Sequence, residues 1–223
     1  MRYKTVIFDL DGTLVDSSVG IIKGVNDALN KMGHSAASPC QIQSYIGPPI
    51  VDALISKHGL ERERRTEFNI LFREIYNDKY LADTLLYPGI YNLLSNLSKE
   101  CFIGVATNKR KDSANMILKN LEIYEYIDIV EGMDSDMMSN KGDMIEKCIT
   151  LSGVEKKDVV VIGDTSHDES AAKACGVDFI GVTFGFGFKK ETDVCYGSVV
   201  SDILSLQKLL FNKKYDPLII VDQ

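Results

Sequence analysis

The chain of 223 residues is 45% hydrophobic and 26% charged, an ordinary globular balance with room for one large domain or two unequal ones. Its formal charge of −7 excludes a general nucleic-acid binder, which would carry a basic face. No stretch approaches the ~20 apolar residues that span a bilayer, and the run after Met1-Arg2-Tyr3-Lys4 is too short for a signal-peptide core, so a cytoplasmic protein without membrane contact is expected.

Thr5-Val6-Ile7-Phe8 is a β-branched and aromatic run without polar relief, which reads as a strand buried on both faces of a parallel sheet. It ends at Asp9-Leu10-Asp11-Gly12-Thr13. Two carboxylates one residue apart are costly in apolar surroundings unless a cation meets them. The space past the carboxyl end of such a strand is where open α/β sheets bind ligands. A calcium-binding EF-hand loop also begins Asp-x-Asp, but its glycine comes sixth and follows a helix; Gly12 comes fourth and follows a strand.

From about residue 16 to 81 no convincing strand is found. Ser17 or Ser18 can cap a helix carrying Val19, Ile22, Leu29 and Met32, closed by Gly33. Residues 41–46 form a short helical turn before Gly47-Pro48-Pro49, and residues 50–58 continue helically to Gly59. Between 61 and 80, Phe68, Leu71, Phe72, Ile75 and Tyr76 make a stripe at helical spacing, read as packing. The run Glu61-Arg62-Glu63-Arg64-Arg65 is read as a solvated face, with attraction of an anionic substrate as the alternative.

Strands and helices then alternate. The strand runs are Phe102-Ile103-Gly104-Val105-Ala106, ending at Thr107-Asn108; Ile127-Asp128-Ile129-Val130; Val159-Val160-Val161-Ile162, ending at Gly163-Asp164; and Phe179-Ile180-Gly181-Val182. Between and around them, Tyr91-Leu94-Leu97, Ala114-Ile117-Leu118-Leu121, Met144-Ile145-Cys148-Ile149 and Ala171-Ala172-Ala174-Cys175 follow helical spacing. This alternation predicts right-handed βαβ units. The fold expected is α/β, a doubly wound Rossmann-like parallel sheet spanning 1–15 and 82–223, with a helical module at 16–81. The scattered Cys40, Cys101, Cys148, Cys175 and Cys195 form no C-x-x-C pair and are expected as reduced, buried thiols. The apolar tail Pro217-Leu218-Ile219-Ile220-Val221 reads as packing on the core or on another subunit, and a monomer and a homodimer both stay open.

Four separated segments place polar groups at one edge of this sheet: Asp9 and Asp11, Thr107 and Asn108, Lys141, and Asp164 with Asp168. Singly each has a bland reading, as a helix cap or a solvated charge. Together, four carboxylates in one crevice would repel each other and any anion. A hard divalent cation resolves the conflict, and oxygen-only ligands favour Mg2+. Mg2+ is commonly completed by water and a substrate phosphate. Lys141 can neutralise incoming charge and orient Asp9, while the Thr107 hydroxyl and the amides at Asn108 suit phosphate oxygens. No Gly-x-x-x-x-Gly-Lys loop is present, so this is not a P-loop site.

Asp9-x-Asp11-Gly12-Thr13, Thr107-Asn108, Lys141 and Gly163-Asp164-Thr165-x-x-Asp168, in this order, resemble the motifs of the haloacid dehalogenase superfamily, specifically its phosphatases with a small helical cap inserted after the first motif. The resemblance extends from Val6 to about Leu210. Lys141-Gly142-Asp143 lacks the proline that often follows the family's lysine, which leaves its loop geometry open. The resemblance implies that Asp9 is the nucleophile, forming an aspartyl-phosphate, and that Asp11 is the general acid and then base. It implies Mg2+ held by the Asp9 carboxylate, the Asp11 main-chain carbonyl and the Asp164 carboxylate. Asp168 would support this set, and Gly12 would let the backbone approach the phosphate, its amide donating to it.

Dehalogenases of the superfamily lack the second aspartate, so Asp11 argues for phosphate chemistry; Thr13 sides with phosphatases rather than sugar-phosphate mutases. The expected function is a Mg2+-dependent phosphomonoesterase acting on a small phosphorylated metabolite, because the chain looks like phosphoglycolate phosphatases. The run Ile46-Gly47-Pro48-Pro49 also resembles a nucleotidase-like subgroup, which makes a nucleoside 5'-monophosphate phosphatase the alternative. Tyr45 to Pro49 can reach the crevice or serve as a stiff connector, and His167 can approach its mouth or be an ordinary loop residue. A non-enzymatic phospho-acceptor domain shares an acidic magnesium pocket, but it carries no helical insertion and is shorter than this chain.

Overall fold

The computed structural model describes residues 1–133 and 140–211; the tail at 217–221 lies outside the described residues. Strand β1 (Thr5–Phe8) is buried along its whole length and has a parallel neighbour on each side. Its side chains alternate as a strand requires: Val6 and Phe8 join one hydrophobic cluster and Ile7 the other.

Past the acidic turn, β2 (Val15–Asp16) pairs antiparallel with β3 (Leu85–Leu86), Val15 opposite Leu86. Between them lie α1 (Ser18–Lys31), α2 (Pro39–Gln43), α3 (Ile50–Lys57) and α4 (Arg65–Ile75). A π-helical turn (Tyr76–Tyr80) and a 3-10 turn (Leu81–Asp83) follow. Ser17 does not cap α1 with its side chain as expected. Its hydroxyl donates to Asp11 Oδ1 at 2.5 Å, and Asp16 accepts from the Ser18 amide at 2.9 Å instead. The aromatic stripe is packing: Phe68 stacks on Phe72 with centroids 5.9 Å apart, and Phe72 lies 5.6 Å from Tyr76. The charged run divides. Arg62 and Glu63 are exposed, whereas Arg64 donates to the Met32 carbonyl at 3.0 Å and Arg65 pairs with Asp52.

The chain continues through α5 (Ile90–Leu97), β4 (Phe102–Arg110), α6 (Lys111–Asn120), β5 (Ile129–Met133), α7 (Lys141–Ser152) and β6 (Val159–Gly163). It finishes with α8 (Ser166–Cys175), β7 (Asp178–Val182), β8 (Ser198–Val200) and α9 (Ile203–Phe211). Six parallel strands stand in the order β5-β4-β1-β6-β7-β8. Residues of α5, α6 and α9 such as Leu94, Ile117 and Leu206 pack with Val6 and Phe8; Met144, Cys148 and Ala172 of α7 and α8 pack with Ile7. Helices on both faces make the sheet doubly wound, and the crevice opens where strand order reverses around β1.

Several details differ from the sequence reading. β4 does not end at Asn108 but runs to Arg110, with a register irregularity between Thr107 and Arg110. β5 begins at Ile129, after the Asp128 carboxylate has accepted the Ile103 amide at 2.7 Å. Tyr91 faces out and meets the Tyr126 hydroxyl at 2.9 Å. Of the cysteines, all free, Cys148 and Cys175 are buried but Cys40 and Cys195 are exposed. Among the described residues no helix is long and apolar enough to cross a membrane.

Candidate active site

Asp9 leaves β1 with its amide still donating to the Ile162 carbonyl at 2.8 Å, so its position is fixed by the sheet. Its Oδ1 accepts from Lys141 Nζ at 2.5 Å, and the same ammonium lies 2.7 Å from Asp168 Oδ1. Lys141 is the first residue of α7. A reciprocal box between Asn140 and Asp143 sets that helix start, and does so without the missing proline. Burial alone would lower the Lys141 pKa, but Asp168 and Asp9 outweigh it, so the ammonium holds its proton more tightly than a free lysine.

Asp168 sits in the first turn of α8. Its Oδ2 accepts from the Thr165 hydroxyl at 2.6 Å and the Thr165 amide at 3.1 Å. Both of its oxygens are therefore engaged. Asp164, directly after β6, is different: Oδ2 accepts the amides of Phe186 at 2.6 Å and Gly187 at 3.1 Å, while Oδ1 is buried without a partner. The carboxylates of Asp9, Asp164 and Asp168 place oxygens within 4.8 Å of one another. Against the single Lys141 ammonium they leave a formal charge of minus two. Burial, more than Asp168, pushes the Asp164 carboxyl up to about 7. Burial also holds Asp9 well above the usual carboxylate range, with Lys141 opposing and Asp168 and Asp164 adding to the rise. An oxygen-only set with an orphaned buried oxygen and a double negative excess fits a hard divalent cation. Since Asp168 is already committed, Asp9 and Asp164 are the carboxylates best placed to hold it.

Gly12 lies at φ +90°, and a Cβ there would overlap the Asp164 carboxylate. The expected donation of its amide to phosphate is corrected: that amide donates to the Val15 carbonyl at 2.8 Å. Gly12 supplies room for Asp164.

Asp11 is met by two groups that sequence reasoning did not connect to it. Lys109 Nζ lies 3.0 and 3.1 Å from its two oxygens, and the Ser17 hydroxyl lies 2.5 Å from Oδ1. The only sequence signal for Lys109 was its place directly behind Thr107-Asn108. The buried Thr107 hydroxyl accepts the Lys109 amide at 3.1 Å and keeps its own proton to donate. The Asn108 side chain instead donates to the Gly47 carbonyl at 2.9 Å. Also missed was the loop after β7, whose Phe184-Gly185-Phe186-Gly187 alternation was the available clue to its contact with Asp164.

Asp9, Asp11, Thr107, Asn108 and Lys109 line a crevice of about 110 Å³ whose roof is Ile46 to Ile50. Through Pro49, Ile50, Phe72 and Lys109 it adjoins a chamber of about 270 Å³ that also reaches Phe68, Tyr76, Arg65 and Arg73. His167 is exposed and lines neither.

Residues 6–182 match the family model described as haloacid dehalogenase-like hydrolase. A 5'-nucleotidase from Pseudomonas aeruginosa is 30% identical, the match covering 86% of this chain and 87% of that protein. Tyrosine-protein kinase PtkA from Mycobacterium tuberculosis is 31% identical over 92% of this chain and 70% of its own length. A phosphoglycolate phosphatase from Yersinia pestis is 31% identical over 82% of each. A Clostridium acetobutylicum structure described as a predicted phosphatase superposes with a TM-score of 0.87 at 29% identity, covering 94% of this chain and 99% of that one.

Proposed function

The chain belongs to the haloacid dehalogenase-like hydrolase family and is a phosphoric monoester hydrolase, and we propose that it works with Mg2+ through an aspartyl-phosphate on Asp9. The observation that carries this reading is the Lys141 ammonium bridging Asp9 and Asp168 beside the unpaired Asp164 oxygen.

An Asp9 oxygen attacks phosphorus as the ester bond breaks, and the phosphoryl group passes to the carboxylate. Lys141 and the Thr107 hydroxyl meet the phosphoryl oxygens, where fixed donors in a crevice shielded from water act most strongly. Asp11 gives a proton to the departing alkoxide, then takes one from the water that releases phosphate from Asp9. Asp9, the Asp11 carbonyl and Asp164 would hold Mg2+, which when bound neutralises phosphoryl charge. Asp168 orients Lys141. The helices of 16–81 serve as a cap over the crevice, a role supported by the Asn108–Gly47 hydrogen bond.

For the substrate we propose a small phosphorylated metabolite of the phosphoglycolate class, supported by the Yersinia relative. The chamber favours a second reading. At roughly 15–20 Å³ per close-packed heavy atom, its volume of about 270 Å³ takes about 14–18 atoms, near the size of a pyrimidine nucleoside, whereas glycolate has only about five. Steady-state phosphate release from phosphoglycolate, hexose phosphates and nucleoside monophosphates with Mg2+ tests both. A preference of at least tenfold in kcat/KM for nucleoside monophosphates replaces the first reading with the second. Release from none of them, nor from an aryl phosphate, rejects the hydrolase mechanism.

A further inference from the structure

We propose that Lys109 is a positioning residue for Asp11, and that its seat against the Tyr76 ring couples the aim of Asp11 to the helices inserted between β2 and β3. The inference rests on the reading of Asp11 as acid and base.

Lys109 reaches both Asp11 oxygens, at 3.0 and 3.1 Å, which fixes the plane of the carboxylate as well as its place. The pair is desolvated, the two side chains retaining only 10% and 12% exposure. Such burial is costly unless contacts are well made, and a partner removed from such a pair leaves an uncompensated charge. The lysine is itself held on two further sides. Its backbone amide donates to Thr107 Oγ1, within the irregular stretch of β4 between Thr107 and Arg110. Its ammonium lies 4.8 Å from the centroid of the Tyr76 ring. Tyr76 opens the π-helical turn after α4, is buried, and meets Thr84 at 3.2 Å through its hydroxyl. A displacement of that turn therefore displaces the cation that aims Asp11. The Ser17 hydroxyl makes the third contact to Asp11, at the point where the chain enters the helical insert.

Proton transfer needs hydrogen-bond reach in a defined direction, and a misplacement of about 1 Å can lose roughly a hundredfold in rate. The consequence is selective in the transfer step, since hydrolysis of the intermediate on Asp9 is the same whichever alcohol has left. An alkyl phosphate needs its leaving oxygen protonated; p-nitrophenyl phosphate, whose leaving group is stable as an anion, does not. Lys109→Met is expected to lower kcat/KM, which covers ester cleavage but not the later hydrolysis, about 30- to 100-fold for glycerol phosphate and phosphoglycolate and less than about threefold for p-nitrophenyl phosphate. Lys109→Arg, whose planar fork can engage both oxygens and stack on the ring, is expected to recover most of the alkyl activity. Tyr76→Leu is expected to lower the alkyl-to-aryl ratio of kcat/KM about five- to tenfold with Lys109 intact, and it reads the coupling even if Lys109→Met does not fold.

Equal losses of kcat/KM on both ester types would overturn the inference, since they would mark a structural residue, one serving Asp9, or a cation that binds the phosphoryl group. An unchanged ratio in Tyr76→Leu would remove the coupling to the insert. These failures differ from failure of the hydrolase mechanism, in which wild-type protein would release phosphate from neither ester.

Discussion

The Asn108 side-chain amide donates to the Gly47 carbonyl at 2.9 Å, so a residue of β4 beside the crevice holds the loop between α2 and α3 in place over it. Gly47 is at φ +121°, and a Cβ there would come within 2.8 Å of Thr165 Cγ2, beside Asp164. Asn108→Ala should loosen this contact by about one hydrogen bond, ~1 kcal/mol, and raise KM about fivefold with a smaller effect on kcat. Gly47→Ala should lower stability by about 1–2 kcal/mol, because an alanine there is both strained and crowded. Steady-state kinetics and urea unfolding check the two expectations.

Among the described residues, Lys141 is the single cation paired within the three buried carboxylates. Lys141→Met should reduce kcat at least about a hundredfold, the usual loss for one electrostatic donor to a transferring group. It should also cost roughly 3 kcal/mol or more of stability by leaving the buried charges unpaired. Part of that stability should return as pH falls and the Asp9 and Asp164 carboxyls take up protons. Thermal unfolding of the variant at several pH values measures the recovery.

The raised Asp164 carboxyl gives a pH dependence with a definite sign. It rises from 3.8 to about 7 on folding, so the folded chain binds the proton more tightly than the unfolded chain. Its contribution to stability is present below pH 3.8 and is lost as pH rises through about 7. A dication that takes the proton's place reverses this loss, and its affinity grows as the carboxyls ionise. Metal-free protein should therefore lose Tm between about pH 4 and 7, and the Tm increment on adding Mg2+ should be larger at pH 8 than at pH 5.5. Thermal melts with Mg2+ and with chelator decide the sign.

The parts of the site legible in the sequence were those written into consecutive residues. Thr5 to Phe8 and Val159 to Ile162 are unbroken apolar runs, so the carboxylates that close them, Asp9 and Asp164, could be placed at one sheet edge. Lys109 was not legible, because it lies in the irregular stretch of β4, where no apolar period marks which way a side chain faces. The amides of Phe186 and Gly187 have no side-chain signature, and only the folded loop aims them at Asp164. Ser17 matched the pattern of a helix cap, but a carboxylate six residues earlier takes its hydroxyl. Local propensity lost there to a contact with the site.

Covalent transfer to Asp9 is tested most directly by acid-quenching the Mg2+-loaded enzyme during turnover of a radiolabelled phosphate ester and mapping the labelled peptide. The account predicts a base-labile label on the segment containing Asp9, approaching one per chain when hydrolysis of the intermediate is slow, and none in Asp9→Asn. Full turnover with no label at any quench time, or label on another residue with Asp9→Asn still active, would contradict it.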